Sequence, residues 1–207
     1  MSSFDDFARL YGEVPFRRTL EIIAPANYDT FVSRLYEELG CIIQNLESAP
    51  KERSKDLEDR LSLEIVNCLK SAGYISEKDP THGGHVDILV YPVQKKDMKW
   101  YAEAKIWGGV EYLNGGMDQL LTRYASGRHP SLGFIVYFKN GEIIDSMSKW
   151  AVCLKDRSDF QEKDESEDGF TFSTMHNHAS GKNIMVRHFA VNLNWSPKIR
   201  KSKRIKL

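Results

Sequence analysis

Asp87 lies within residues 86–91 (VDILVY), and Glu103-Ala104-Lys105 begins sixteen residues later within residues 99–107 (KWYAEAKIW). Both segments are short runs of β-branched and aromatic residues. Pro92 and a charged stretch from Gln94 to Lys99 separate them, the pattern of two strands joined by a hairpin loop. Strand alternation sets Tyr101, Glu103 and Lys105 on one face and Trp100, Ala102, Ala104 and Ile106 on the other. The same rule sets Asp87 opposite Val86, Ile88 and Val90. Two carboxylates side by side in apolar strands repel each other and are costly to bury unless a cation or a proton lies between them. An all-oxygen site of this kind suits Mg²⁺ or Mn²⁺, which keep several waters and leave room for a phosphate.

The elements that would position these groups are legible on both sides. Leu57, Leu61, Ile65, Cys68, Leu69 and Ala72 recur at helical spacing, with no Pro or Gly before Gly73, so residues 52–72 are predicted to form a helix with one apolar stripe and a glycine stop. Glu64 falls on or at the edge of that stripe and needs a partner: the acidic site, or Arg60 four residues earlier. Residues 112–126 carry a second stripe of Leu113, Met117, Leu120, Leu121 and Tyr124. Gln119 and Arg123 share a neighbouring face, and Tyr124 reads as a core aromatic.

Taken together these residues resemble the PD-(D/E)xK nuclease superfamily, with its restriction-endonuclease-like fold. Asp87 matches the first acid of the motif and Glu103-Ala104-Lys105 the acid-x-Lys. Gly83-Gly84 is similar to the glycines that many members place before the first acid, while Val86 departs from the motif's proline. Glu64 corresponds to the glutamate of the preceding helix and Gln119 to the glutamine of the following one; Gln119 and Tyr124 are one residue further apart than the usual Q-x-x-x-Y. The resemblance implies an α/β three-layer core with a mixed central sheet flanked by helices. It implies Mg²⁺, with Mn²⁺ able to substitute, held by Asp87, Glu103, the main-chain carbonyl of Ala104 and Glu64. Lys105 would stand beside the attacking water, and Gln119 would position Lys105 or the phosphate. The activity implied is metal-dependent hydrolysis of nucleic-acid phosphodiester bonds, with DNA favoured over RNA, by a restriction or phage-defence effector. Such an effector would be homo-oligomeric or regulated by a partner. Two other classes stay open: a catalytically silent member that binds nucleic acid or a partner protein, and a zinc-stabilised binding module.

The zinc alternative rests on His176 and His178, two apart, with His188 on a facing strand. The reading favoured over zinc, which lacks an evident fourth ligand, is that these are polar loop and strand residues near a hairpin; a further one is that His176, His178, Lys182 and Arg187 form a nucleic-acid-facing hairpin. His82 and His85 stand outside the proposed metal ligands. Length 207 and 41% hydrophobic residues are enough for one sizeable core, so residues 1–197 are expected to be a single domain. Its core spans about 28–154, with helices at 28–47 and 142–154 and a strand at 133–138, and a C-terminal β-hairpin follows over 170–193. The acidic stretch from Asp156 to Asp168 has seven acids and two bases and reads as a solvated loop.

Charge is unevenly distributed. Residues 198–207 hold six of the 29 bases and no acid, so residues 1–197 carry 23 bases against 29 acids, or −6. A basic tail including Lys201 and Arg204 attracts polyphosphate backbones without reading their sequence; Arg123 is a further expected nucleic-acid contact. No stretch approaches the roughly 18 apolar residues of a membrane span, and the start lacks a secretion signal. Three scattered cysteines, Cys41, Cys68 and Cys153, form no C-x-x-C pair and read as small core residues of a cytoplasmic protein.

Overall fold

The computed structural model describes residues 13–78, 86–164 and 168–195. In chain order it has α1 (Glu13–Ile23), α2 (Tyr28–Glu47), α3 (Glu58–Ala72), β1 (Ile75–Glu77), β2 (Ile88–Tyr91), β3 (Trp100–Ile106) and α4 (Val110–Gln119). A π-helical turn over Leu120–Tyr124 extends α4, and β4 (Ser131–Phe138), α5 (Ile143–Lys155), β5 (Phe160–Asp164), β6 (Thr171–Asn177) and β7 (Asn183–Asn192) follow.

The helices form where spacing and caps agree. In α2, Phe31, Val32, Leu35, Leu39, Ile42, Ile43 and Leu46 are all buried, the three-and-four spacing of a single apolar face. Asn27 caps it, its side chain accepting from Thr30 N at 2.9 Å, which satisfies one otherwise open amide of the first turn. α3 ends at Gly73, whose φ of 106° is left-handed backbone that a glycine takes without steric cost.

Among the described residues seven strands make one mixed sheet in the order β1-β2-β3-β4-β7-β6-β5. β3, β4 and β7 run parallel, and the remaining pairs are antiparallel. β4 is buried from Leu132 to Phe138, as a central strand covered on both faces must be. α2 and α3 pack on one face, against Ile88, Val90, Trp100, Ala102, Ala104, Ile135, Tyr137 and Val191. α4 and α5 pack on the other, against Phe134, Val136, Phe138 and Val186. The chain is therefore an α/β protein with helices on both faces of a mixed sheet. Gly133 in β4 leaves the room that Trp100 fills: a Cβ there would stand 2.1 Å from the indole.

Several expectations are corrected. The helix expected from residue 52 begins at Glu58, and Leu57 is exposed. The segment before it turns instead, because Arg53 donates to Ala49 O at 3.0 Å and the Lys139 ammonium binds the carbonyls of Ser54 and Asp56. The acidic stretch is not wholly loop: β5 pairs with β6, with Phe160 packed at the core and charged residues along the outer edge, where they discourage further strand pairing. The C-terminal hairpin is no appendage, since β7 lies parallel to β4 inside the sheet. Asp87 precedes β2 rather than lying within it, and Val86 packs with the α4–α5 core while Ile88 and Val90 face α2 and α3. Cys41 is exposed rather than buried, and Cys68 and Cys153 are half-buried; all three are free thiols. No helix among the described residues is long and apolar enough to cross a membrane.

Candidate active site

The β2–β3 ladder stops at the pair Ile88–Ala102, and side chains occupy the edge of β3 beyond it. A strand residue directs its N–H and C=O to the same neighbour, so Ala104 and Ile106 open toward the side that β2 has left. Asp87 accepts from Ala104 N through Oδ2 at 2.8 Å. Glu58, the first residue of α3, accepts from Ile106 N through Oε2 at 2.9 Å. Two carboxylates from different elements thus cap successive outward amides of one strand, and the Ala104 carbonyl faces the same gap.

Lys105 joins these acids to a third. Its Nζ lies 2.5 Å from Glu103 Oε1, 3.3 Å from Glu58 Oε1 and 3.9 Å from Asp87 Oδ2. Glu103 is 1% exposed and Lys105 9%. Burial, reinforced by the charge of Asp87, raises the Glu103 carboxyl to about 7, although Lys105 pulls the other way. Burial also raises Asp87, with the Ala104 N–H and Lys105 offsetting part of it. For Lys105 burial would favour the neutral amine, but the surrounding carboxylates prevail and hold the ammonium above its ordinary range. The set is three acids against one base, a formal −2, and Glu103 Oε2 is buried without a hydrogen-bond partner.

α4 closes the cluster from the other side. Tyr112 Oη donates to Glu58 Oε2 at 3.4 Å. One turn later, a Cβ on Gly116 would stand 3.2 Å from Lys105 Cε, so the glycine permits the lysine stem to pass under the helix. Gln119, half-buried, lies three residues beyond Gly116 and shares that face by helical periodicity.

The structure therefore brings Asp87, Glu103, Ala104 and Lys105 together, with Gln119 on the adjoining helix face. Glu64 is not among them. It pairs with Arg53, at 2.5 Å and 3.3 Å, rather than with the cluster or with Arg60, and Glu58 takes the place expected of it. The signal for Glu58 was its position three residues before Leu61 and seven before Ile65, on the same stripe. As the first residue of the helix it also meets the positive end of the helix dipole. Arg123 is exposed on the π-helical turn, and Lys182 is exposed beside the β6–β7 turn. His82, His85, Gly83, Gly84, Lys201 and Arg204 lie outside the described residues.

Hydrogen bonding speaks against His176 and His188 as zinc ligands and against His176 as a nucleic-acid contact. His176 and His188 are both fully buried, so neither faces a nucleic acid, and both ring nitrogens of each are used. Trp150 Nε1, which can only donate, reaches His188 Nδ1 at 3.2 Å, which fixes the proton of neutral His188 on Nε2. That group donates to Thr174 Oγ1 at 2.8 Å, Thr174 donates to His176 Nε2 at 2.8 Å, and His176 Nδ1 donates to Asp159 Oδ1 at 2.7 Å. Arg157 closes the chain on Asp159 with bonds of 3.1 and 2.7 Å. His178 instead turns back onto Ser180 at 2.9 Å. No zinc site is built from these residues.

This relay yields a stability prediction. Burial lowers His176 below its ordinary value of 6.5, with Asp159 opposing. Its contribution to stability is therefore complete above 6.5 and is lost as pH falls toward the lower folded value. Thr174→Val, which removes both middle bonds, is expected to cost about 1–3 kcal/mol in urea unfolding at pH 7.5. His176→Gln is expected to flatten the decline below pH 6.5. An unchanged slope in His176→Gln would assign the decline to another group.

Among the described residues no three acid, imidazole or thiolate groups form a ready-made metal cage; the Lys105 ammonium stands between the carboxylates. Their fit to a divalent cation rests on the unpartnered Glu103 Oε2, on the formal −2 of the cluster and on a donor set made only of hard oxygens. Comparison with models of known families, with curated proteins and with solved structures returned no match.

Proposed function

We propose that this chain is a metal-dependent nuclease of PD-(D/E)xK type that hydrolyses nucleic-acid phosphodiester bonds, with DNA the favoured substrate. The observation that carries this reading is one lysine ammonium lying within 2.5–3.9 Å of three carboxylates at a sheet edge where backbone pairing has stopped. Asp87, Glu103 and the carbonyl of Ala104 would hold Mg²⁺, with Glu58 in the part first given to Glu64. Bound there, the cation would neutralise charge on the phosphate and acidify a water. Lys105, kept charged by its neighbours, is suited to stabilise the extra negative charge of the pentavalent phosphorus. Gln119 and Tyr112, on one face of α4, border the approach to it. A restriction or phage-defence role, with control through self-association or a partner, belongs to the same reading.

A second reading has its own support: Asp87 and Glu58 both accept β3 amides, so the acids could serve only to end the sheet in a silent, binding member of the fold. The buried and unpartnered Glu103 Oε2 weighs against it, because a cap has no use for that group.

The test is incubation of wild type and Lys105→Ala with supercoiled plasmid, linear duplex, single-stranded DNA and structured RNA in Mg²⁺, Mn²⁺ or EDTA. Cleavage is expected from the wild type only, to be abolished by EDTA and to fall at least roughly 10²–10³-fold in Lys105→Ala. Equal cleavage by both proteins would overturn the assignment.

A further inference from the structure

At the opposite end of the sheet, α2 and the β6–β7 pair enclose a cleft of about 410 Å³. This falls within the roughly 300–1,000 Å³ of small-molecule sites. Tyr36, Gly40 and Ile43 line it from α2, Arg187 and Phe189 from β7, and Phe170 from the turn before β6. Tyr36 and Phe189 meet edge to face with centroids 5.6 Å apart, giving the cleft an aromatic wall.

Arg187 is the unusual member. Its Nη1 donates to Ser173 Oγ at 3.1 Å and its Nη2 to Thr171 Oγ1 at 3.2 Å, both neutral acceptors. Its Nε is buried with no partner, and no carboxylate pairs with it among the described residues. The two acids at the cleft are committed elsewhere. Glu47 Oε1 accepts from Asn192 N at 2.8 Å, and Asp168 Oδ1 accepts from Phe170 N and Thr171 N at 2.8 and 3.1 Å. Each Nη carries a second N–H beyond these bonds, so the guanidinium still offers a planar fork that matches a carboxylate or phosphate. The flanking acids disfavour a polyanion, whose further charges would run past Glu47 and Asp168.

We propose that this cleft binds a small molecule bearing a single carboxylate or phosphate on an apolar, ring-sized body. The anion seats on Arg187 and the body lies against Tyr36, Phe170 and Phe189. This does not rest on the nuclease reading, and the test is run in EDTA to keep the acidic cluster apart from it.

Phenyl phosphate, benzoate, inorganic phosphate and benzylamine are titrated calorimetrically into the full chain. Phenyl phosphate or benzoate is expected to bind saturably, more tightly than inorganic phosphate, with benzylamine silent; the stronger of the two identifies the head group. Arg187→Gln is expected to weaken that binding at least about tenfold. Gly40→Leu is a block that leaves Arg187 untouched: a Cβ at Gly40 meets nothing within 4 Å, and leaving glycine favours the helix. This variant should fold as well as wild type and lose binding by at least about tenfold. Absence of saturable binding by both ring-bearing anions, or binding unchanged in both variants, overturns the proposal. So does an oligonucleotide that binds through Arg187 when the small probes do not, which would return this arginine to nucleic-acid contact.

Discussion

Glu58→Gln is expected to lower Mg²⁺-dependent cleavage at least about a hundredfold, while Glu64→Gln leaves it within about twofold. Both residues lie on α3, and only their partners distinguish them. Glu58 receives the Ile106 amide on one oxygen and the Lys105 ammonium on the other. A glutamine could keep the first bond, but its NH₂ would then face the ammonium, donor against donor. Lys105 would lose an anchor and the cluster one of its three negative charges, so metal affinity and lysine placement would fail together. Glu64 is held by Arg53, and its loss should read out as modest destabilisation. Single-turnover cleavage of the two variants decides the matter. Equal losses would show that the helix matters as a scaffold and that neither glutamate acts at the site.

The exchange of Glu64 for Glu58 shows where the sequence ceased to be legible. Alternation in residues 99–107 put Glu103 and Lys105 on one side of β3, which is what strand geometry dictates when a short apolar run holds charges at every second position. The flanking helices followed from apolar spacing in the same way. What spacing could not supply was the start of α3. Nothing between residues 52 and 57 breaks a helical pattern; the segment turns because Lys139, some eighty residues later, binds the carbonyls of Ser54 and Asp56. A long-range contact decided a local boundary, and the boundary decided which glutamate leads the helix. The zinc reading of the histidines failed for a related reason. His176 and His188 are polar in sequence, yet they are buried because Trp150 on α5, Thr174 on β6 and Asp159 just before β5 supply a complete set of partners, and pairings as distant as Trp150 with His188 or Asp159 with His176 leave no periodic trace. β5 was lost because its charges suggested a loop, although an edge strand carries such charges on its free side.

Glu103→Gln is expected to make the metal-free protein more stable at pH 8, by about 1–3 kcal/mol, and to remove the stabilisation that Mg²⁺ gives the wild type. The Glu103 carboxyl is raised from 4.5 to about 7, so between those values the folded state holds a proton that the unfolded state has released. Stability from this group is complete below 4.5 and is lost as pH rises through about 7, where the buried carboxylate must ionise beside Asp87. The amide avoids that cost, so its advantage should appear at pH 8 and vanish near pH 5, where the wild-type side chain is itself neutral. His176 acts in the opposite direction over part of the same interval, which is why the variant has to be compared with wild type at each pH rather than read from one profile. Urea unfolding at pH 5 and pH 8, with EDTA and with Mg²⁺, gives the whole comparison. If the variant is less stable than wild type at pH 8 in EDTA, the Glu103–Lys105 pair is a net structural asset and the cluster has no need of a cation. If it is more stable there and indifferent to Mg²⁺, Glu103 is a group held at a cost to the fold, which is what a metal-binding carboxylate would be.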